Sequence, residues 1–281
     1  MKKQINALPA PTFRWLKMNG TLLEETDLPS DPQIFTAAAG TEQYLMLLGD
    51  GTQGNRPEAY HLVVEKDAVL HLVEVVKDAG EAPYVREITA ECAEGALLHV
   101  YWIFLGGTAV YPSVTVDLNG AGSRLEMDGA YVVRPKEILD MSVVSNHYGA
   151  RTESRIEVRG VLYDRAKKIF RGTIDFKRGC KGASGDEREE VLLMDDEAVN
   201  QTVPLILCAE EDVAGNHGAS IGRIDEEAEF YLESRGLSSE EVEQILLDAR
   251  INSVIGKLPA QVRCTVGKSI GSPRMTEGQE L

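Results

Sequence analysis

From about Tyr44 to Cys208 the chain runs in short apolar or alternating segments separated by Gly, Asn and Asp. Val69-Leu70-His71-Leu72-Val73-Glu74-Val75-Val76 is representative, as are residues 114–118, 154–159 and 168–176. Alternation sends one set of side chains inward and the other toward water, which predicts β-strands. Asn119-Gly120 and Asp128-Gly129 could each close a hairpin and would suit an antiparallel sandwich. The segments around Ile156, Ile174 and Leu192 instead recur at roughly 18 residues, the expected length of one coil in a parallel solenoid. The pattern alone predicts an all-β core and leaves both architectures open.

Beyond Gly222 the periodicity becomes helical. Asp225-Glu226-Glu227 places acids at the positive end of a first helix, which Arg235 and Gly236 close. Ser238 and Glu241 form a capping box for a second, in which Val242, Ile245, Leu246 and Ala249 make one apolar stripe, with Pro259 as its latest limit. The chain therefore divides into an N-terminal segment (1–30), a β-core (31–222), a helical region (223–258) and a tail expected to be flexible (259–281). Phe13 to Lys17, after Pro9 and Pro11, is too short to form a domain of its own.

Composition narrows the function. With 281 residues and 43% apolar content the chain can bury a real core. A net charge of −16 repels a phosphate backbone, which excludes nucleic acid as a natural partner. Acidic runs such as Asp186-Glu187-Arg188-Glu189-Glu190 read as solvated faces. Cys92, Cys180, Cys208 and Cys264 lie too far apart for a zinc pattern, and the opening MKKQINALPAP carries no apolar signal region. Both features point to a reduced, cytoplasmic protein. The most apolar segment, 96–105, is too short to cross a bilayer and reads as a buried strand.

Nucleotide chemistry has no support in the sequence. Gly267-Lys268-Ser269 lacks the first glycine of a phosphate loop, where Val262 stands, and Gly120-Ala121-Gly122 lacks the third glycine of a dinucleotide fingerprint. No nucleophile elbow or HExxH spacing occurs. His71 and His99 sit inside strand patterns as structural residues, whereas His147 falls at a turn. A carbohydrate-active β-solenoid would need paired carboxylates in an aromatic-lined groove, yet aromatics are 6% of the chain.

One stretch carries more. Residues 212–227, DVAGNHGASIGRIDEE, are followed by Phe230-Tyr231-Leu232-Glu233-Ser234-Arg235-Gly236-Leu237. The run resembles the C-terminal core of the SufB/SufD iron–sulfur cluster assembly proteins, close to DVxCxHGATxGxIDEEqxFYLxSRGL. His147, Thr152, Ser154, Gly160-Val161-Leu162 and Phe170-Arg171-Gly172-Thr173-Ile174 resemble upstream elements of that family in the same order.

The resemblance implies a right-handed parallel β-helix with a C-terminal helical region. It also implies pairing edge to edge, with itself or a SufB-like subunit, and docking of a soluble ABC-type ATPase on the stripe Val242, Ile245, Leu246 and Ala249. In such complexes ATP drives a shape change in the paired β-helices, where a nascent cluster, the transient iron–sulfur cargo, is built. The chain is similar to the SufD branch: it has His217-Gly218 where the SufB branch has His-Glu, and Ala198 near the SufB acceptor cysteine. His217 becomes the candidate iron or cluster ligand, since imidazole suits iron near neutral pH. Gly215 replaces a family cysteine and Leu207 a family acid, which favours a scaffold without its own enzymatic activity or a homologue without cluster chemistry. Cys180, with cationic neighbours Arg178 and Lys181, and Cys208 are secondary candidates. Lacking the long N-terminal helical region of larger members, the chain resembles a reduced form of the family.

Overall fold

A computed structural model describes residues 1–11, 18–49 and 57–270; residues 13–17 and 271–281 of the predicted segments lie outside this set. Among the described residues, fourteen strands form two parallel sheets of seven, stacked as the two walls of a β-solenoid. One sheet holds β3 (Gln33–Ala37), β5 (Glu58–Val64), β7 (Tyr84–Cys92), β9 (Ala109–Leu118), β11 (Ile138–His147), β13 (Lys167–Phe176) and β15 (Val199–Cys208). The other holds β4 (Glu42–Gly49), β6 (Val69–Val76), β8 (Leu97–Phe104), β10 (Arg124–Val133), β12 (Glu153–Leu162), β14 (Ala183–Leu193) and β16 (Val213–Arg223). Consecutive strands alternate between walls, so every second strand pairs in register.

The coil length differs from the sequence expectation. Leu97 pairs with Arg124, Arg124 with Glu153 and Glu153 with Ser184, and stacked side chains such as His99 and Asp128 are 29 residues apart. Ile156 and Ile174 belong to opposite walls, so the roughly 18-residue recurrence marks successive strands of one coil. The hairpin alternatives also fail. Asn119 and Gly120 form a corner whose N–H groups both bond to the Cys92 carbonyl of the coil below, and a Cβ on Gly120 would overlap the backbone of Glu94. The Asp128-Gly129 pair is mid-strand in β10: Asp128 faces out to His99 and Lys257, while Gly129 packs beside Val158.

The interior is an apolar column including Leu72, Val100, Met127, Ile156 and Phe170. β6 and β8 are buried on both faces because helices cover the outer side, which is why they read as continuous apolar runs. The solenoid is followed by the helices α1 (Glu226–Ser234), capped by Asp225, α2 (Ser239–Ile255), with the predicted capping box, and α3 (Ala260–Ile270), of which α2 and α3 supply the cover. The flexible-tail expectation is thus corrected for 260–270. Val262 and Val266 of α3 bury against Val73, Val75, Tyr101 and Ile103, each worth about 1.5–3 kcal/mol at most.

On the opposite outer face, β1 (Lys2–Ile5) and β2 (Thr21–Glu24) make an antiparallel pair. The Asn6 amide donates to the Asp140 carbonyl (2.6 Å), Thr21 bonds the Asp140 carboxylate, and Arg171 joins that carboxylate to the Met18 carbonyl.

Candidate functional site

The last coil is the exposed end of the solenoid. β15 and β16 are the terminal strands of their sheets, and from Ala214 to Arg223 every residue of β16 is exposed. Strand alternation fixes which side chains face the interior there. Glu187 and Glu189 of β14 are buried and face inward, and their register partners on β16 are His217 and Ala219. His217 therefore projects over the open mouth of the solenoid. It has no hydrogen-bond or ion-pair partner among the described residues. An open cavity of about 560 Å³ runs between the two strands, with Glu187, Glu189, Asn216 and His217 in its lining.

The run read as a solvated face, Asp186 to Glu190, is thus split by period-two alternation. Asp186, Arg188 and Glu190 point outward, while Glu187 and Glu189 are only 3% and 2% exposed. The signal was present in Val191, which continues the inward set, but five charged residues in a row masked it. Glu189 is fully engaged: the Lys168 ammonium donates to it at 2.5 Å, the Tyr131 hydroxyl at 3.0 Å and the Thr202 hydroxyl at 2.6 Å. Gly160 makes room for the Tyr131 ring, which a Cβ there would overlap. Glu187 forms no such bond. Burial and the neighbouring Glu189 charge push its carboxyl up to about 8.

Two other histidines are interior or cradled groups. His147 closes β11 as a buried inward residue, where a turn was expected. Its Nδ1 bonds Thr152 Oγ1 (2.8 Å), and its Nε2 meets Ser154 Oγ (2.9 Å) and Ser145 Oγ (3.2 Å). Burial lowers it to about 4. His99 bonds Asp128 (2.8 Å) on the outer face, beneath Lys257. Burial opposes ionisation of Asp128, yet the hydrogen bonds from His99 and Lys257, with the Lys257 and Arg155 charges, together hold it at about 2.

The cysteines depart from expectation. Cys180 is buried, not exposed, and burial pushes its thiol up despite Arg178 and Lys181 next to it. Its side chain packs with Ile174, Phe176 and Ala183 at the corner, so it is withdrawn as a reactive candidate. Cys208, the other secondary candidate, is exposed at the end of β15, with its Sγ directed to the Glu210 carbonyl (2.9 Å). Cys92 is buried and pushed up to about 12. Among the described residues no group of three or more His, Cys, Asp or Glu could hold a metal ion.

The helical stripe divides between two environments. Val242 is fully buried and Leu246 half-buried beside Leu247, which packs on Val132, Val161 and Leu192. Val242 therefore belongs to the domain's own packing and is removed from the docking face. Ile245 (46%) and Ala249 are exposed, and α1 adds Phe230 (72%) and Tyr231 (55%), which the stripe did not include. An outer groove of about 450 Å³ beside β10–β16 has Glu126, Glu157 and Asp186 in its lining, but each of these lies against Arg155 or Arg188 and no aromatic lines it. That lining gives the glycan-enzyme reading no support.

Residues 38–250 match a family described as the SufBD core domain of the SUF system for FeS cluster assembly. The iron–sulfur cluster assembly protein SufD of Bacillus subtilis is 30% identical over 147 residues, covering 52% of this chain and 34% of the relative. Its Escherichia coli counterpart is 29% identical over 157 residues, or 56% and 37% of the two chains. A SufBD family protein of Staphylococcus saprophyticus is 27% identical over 164 residues, or 58% and 35%. The chain's matched part spans about a third of the length of these relatives. No helix among the described residues is long and apolar enough to cross a membrane.

Proposed function

Since the chain belongs to the SufBD core family of the SUF iron–sulfur cluster assembly system, we propose that it is a SufD-like scaffold subunit and not an enzyme. It pairs through the last coil of its β-helix with a second copy or a SufB-like subunit, and a soluble ABC-type ATPase holds it through the C-terminal helices. The observation that carries this reading is the last coil itself. β16 is a long, exposed edge strand whose free N–H and C=O groups are a template for another strand, and nothing among the described residues covers it. His217 stands on that edge, where pairing would bring it against the other chain's ligands.

The cluster is cargo built at this contact. His217 supplies an imidazole, and thiolate ligands come from a SufB-like partner, since Gly215 and Ala198 stand where the family resemblance places cysteines and a second copy would lack them as well. On the helices that follow β16, Phe230, Tyr231 and Ile245 are large apolar side chains left exposed on α1 and α2, a surface suited to a protein partner.

Co-expression with the ATPase of the same system tests the assignment. The expected result is a stable complex that Ile245→Asp or Phe230→Asp disrupts while the fold is retained. Val242→Asp is unsuitable, because that side chain is buried and its replacement reports on folding. No complex with or without ATP would overturn the proposal.

A further inference from the structure

The two inward glutamates of β14 share one cavity and have opposite surroundings. Glu189 accepts from three donors and is balanced by the Lys168 ammonium. Glu187, equally buried, has neither a hydrogen bond nor an ion pair among the described residues. Its carboxyl occupies the space left by the missing Cβ of Gly172, and the residue lines the cavity that opens under β16. With no protein donor, its oxygens are left to whatever enters the cavity. Such a group is retained where something outside the polypeptide satisfies it.

The register supplies the second group. Glu187 pairs with His217, and both side chains face the interior, so their Cβ atoms are about 5 Å apart across adjacent strands. That separation lets an imidazole nitrogen and a carboxylate oxygen converge on one ion. The charge balance agrees in sign: Lys168 and Glu189 cancel, so an entering cation would meet no uncancelled fixed positive charge and could displace the proton of the Glu187 carboxyl. Neutral imidazole with carboxylate is a ligand pair for a divalent first-row cation, and it leaves the other coordination positions empty toward the mouth of the solenoid.

We propose that Glu187 and His217 form a two-ligand half-site for ferrous iron, completed by ligands of the chain that pairs with the last coil. The inference rests on the scaffold reading and adds to it a second ligand from this chain, one turn inside the edge.

Anaerobic titration of the whole chain with ferrous iron, followed by proton NMR of its five histidine rings, tests it. The His217 signal, assigned by its loss in His217→Ala, should broaden and shift before the other four. Glu187→Gln should raise the iron concentration required by about ten-fold or more, while the outward Glu190→Gln leaves it unchanged. If Glu187→Gln does not fold, Glu187→Asp, with its carboxyl drawn back by one methylene, makes the same comparison. A Glu187→Gln titration identical to wild type overturns the half-site and leaves His217 as a lone ligand. No response of His217 to millimolar iron also overturns it, whereas the scaffold assignment stands or falls separately on the ATPase complex.

Discussion

Replacing His147 by glutamine removes an imidazole that the fold keeps neutral, and the consequence can be worked out from its contacts. The Thr152 hydroxyl donates its proton to the Gly149 carbonyl (3.1 Å), so His147 Nδ1 carries the ring proton and donates it to Thr152, leaving Nε2 to accept from Ser154 or Ser145. The Phe176 ring lies 4.8 Å away, and no carboxylate bonds the imidazole. A second proton would therefore create a buried charge with no counter-ion, which is why the group is lowered from 6.5 to about 4.

The sign follows from proton uptake. Between pH 6.5 and 4 the unfolded chain binds a proton at this residue that the folded chain refuses, so stability is intact above 6.5 and falls as pH drops through the window. The full displacement corresponds to about 3 kcal/mol. Urea unfolding of wild type and His147→Gln from pH 7.5 to 4.0 isolates the effect, because carboxylates titrating over the same range are common to both. The variant should be less stable at pH 7.5, having lost the ring's packing, but the gap should narrow by about 3 kcal/mol at pH 4. A gap constant with pH to within about 0.5 kcal/mol would refute the assignment of a neutral buried ring.

Further outcomes follow from other contacts. Asp140→Ala leaves the buried Arg171 guanidinium without its carboxylate and should cost about 3–5 kcal/mol; faster amide exchange across β1 and β2 would show the N-terminal segment released. Gly160→Ala drives a methyl into the Tyr131 ring and should destabilise by about 1–3 kcal/mol in thermal melts, with the Tyr131–Glu189 bond strained or lost. Maleimide labelling of the native protein should modify Cys208 and Cys264 and spare Cys92 and Cys180, all four reacting only after denaturation.

Much of this molecule can be read from its sequence, because the local rules agree with the fold. Alternation exposed the strands, Asp225 and the Ser238–Glu241 box marked both helix starts, and the ordered motifs around His147 and His217 pointed to a β-helix. What escaped depends on stacking between coils. Asn119-Gly120 looks like a hairpin because glycine serves equally where one backbone presses on another. Glu187 and Glu189 looked solvated because charge outweighed period, and the partners that make the inward Glu189 tolerable, Lys168, Tyr131 and Thr202, lie 13 to 58 residues away. Cys180 was misjudged because cationic neighbours in sequence say nothing of which way a corner side chain turns. The α3 helix was hidden because Pro259 reads as the end of the helical region, whereas its order comes from the solenoid surface it covers.

That covering helix changes how the chain as a whole can come together. A solenoid ordinarily grows by adding each coil to the previous one, so its ends can fray independently. Here the segment after the last coil doubles back to the early ones: the Tyr101 hydroxyl reaches the Lys257 carbonyl across 156 residues, and Val262 and Val266 seal β6 and β8. The ladder is tied into a ring of contacts, so its early rungs stay incomplete until the C-terminal residues have been synthesised. Assembly becomes slower and more nearly all-or-none than in an open stack, and a chain interrupted before Ala260 would leave the part of the β6 and β8 outer faces that Val262 and Val266 cover open to water.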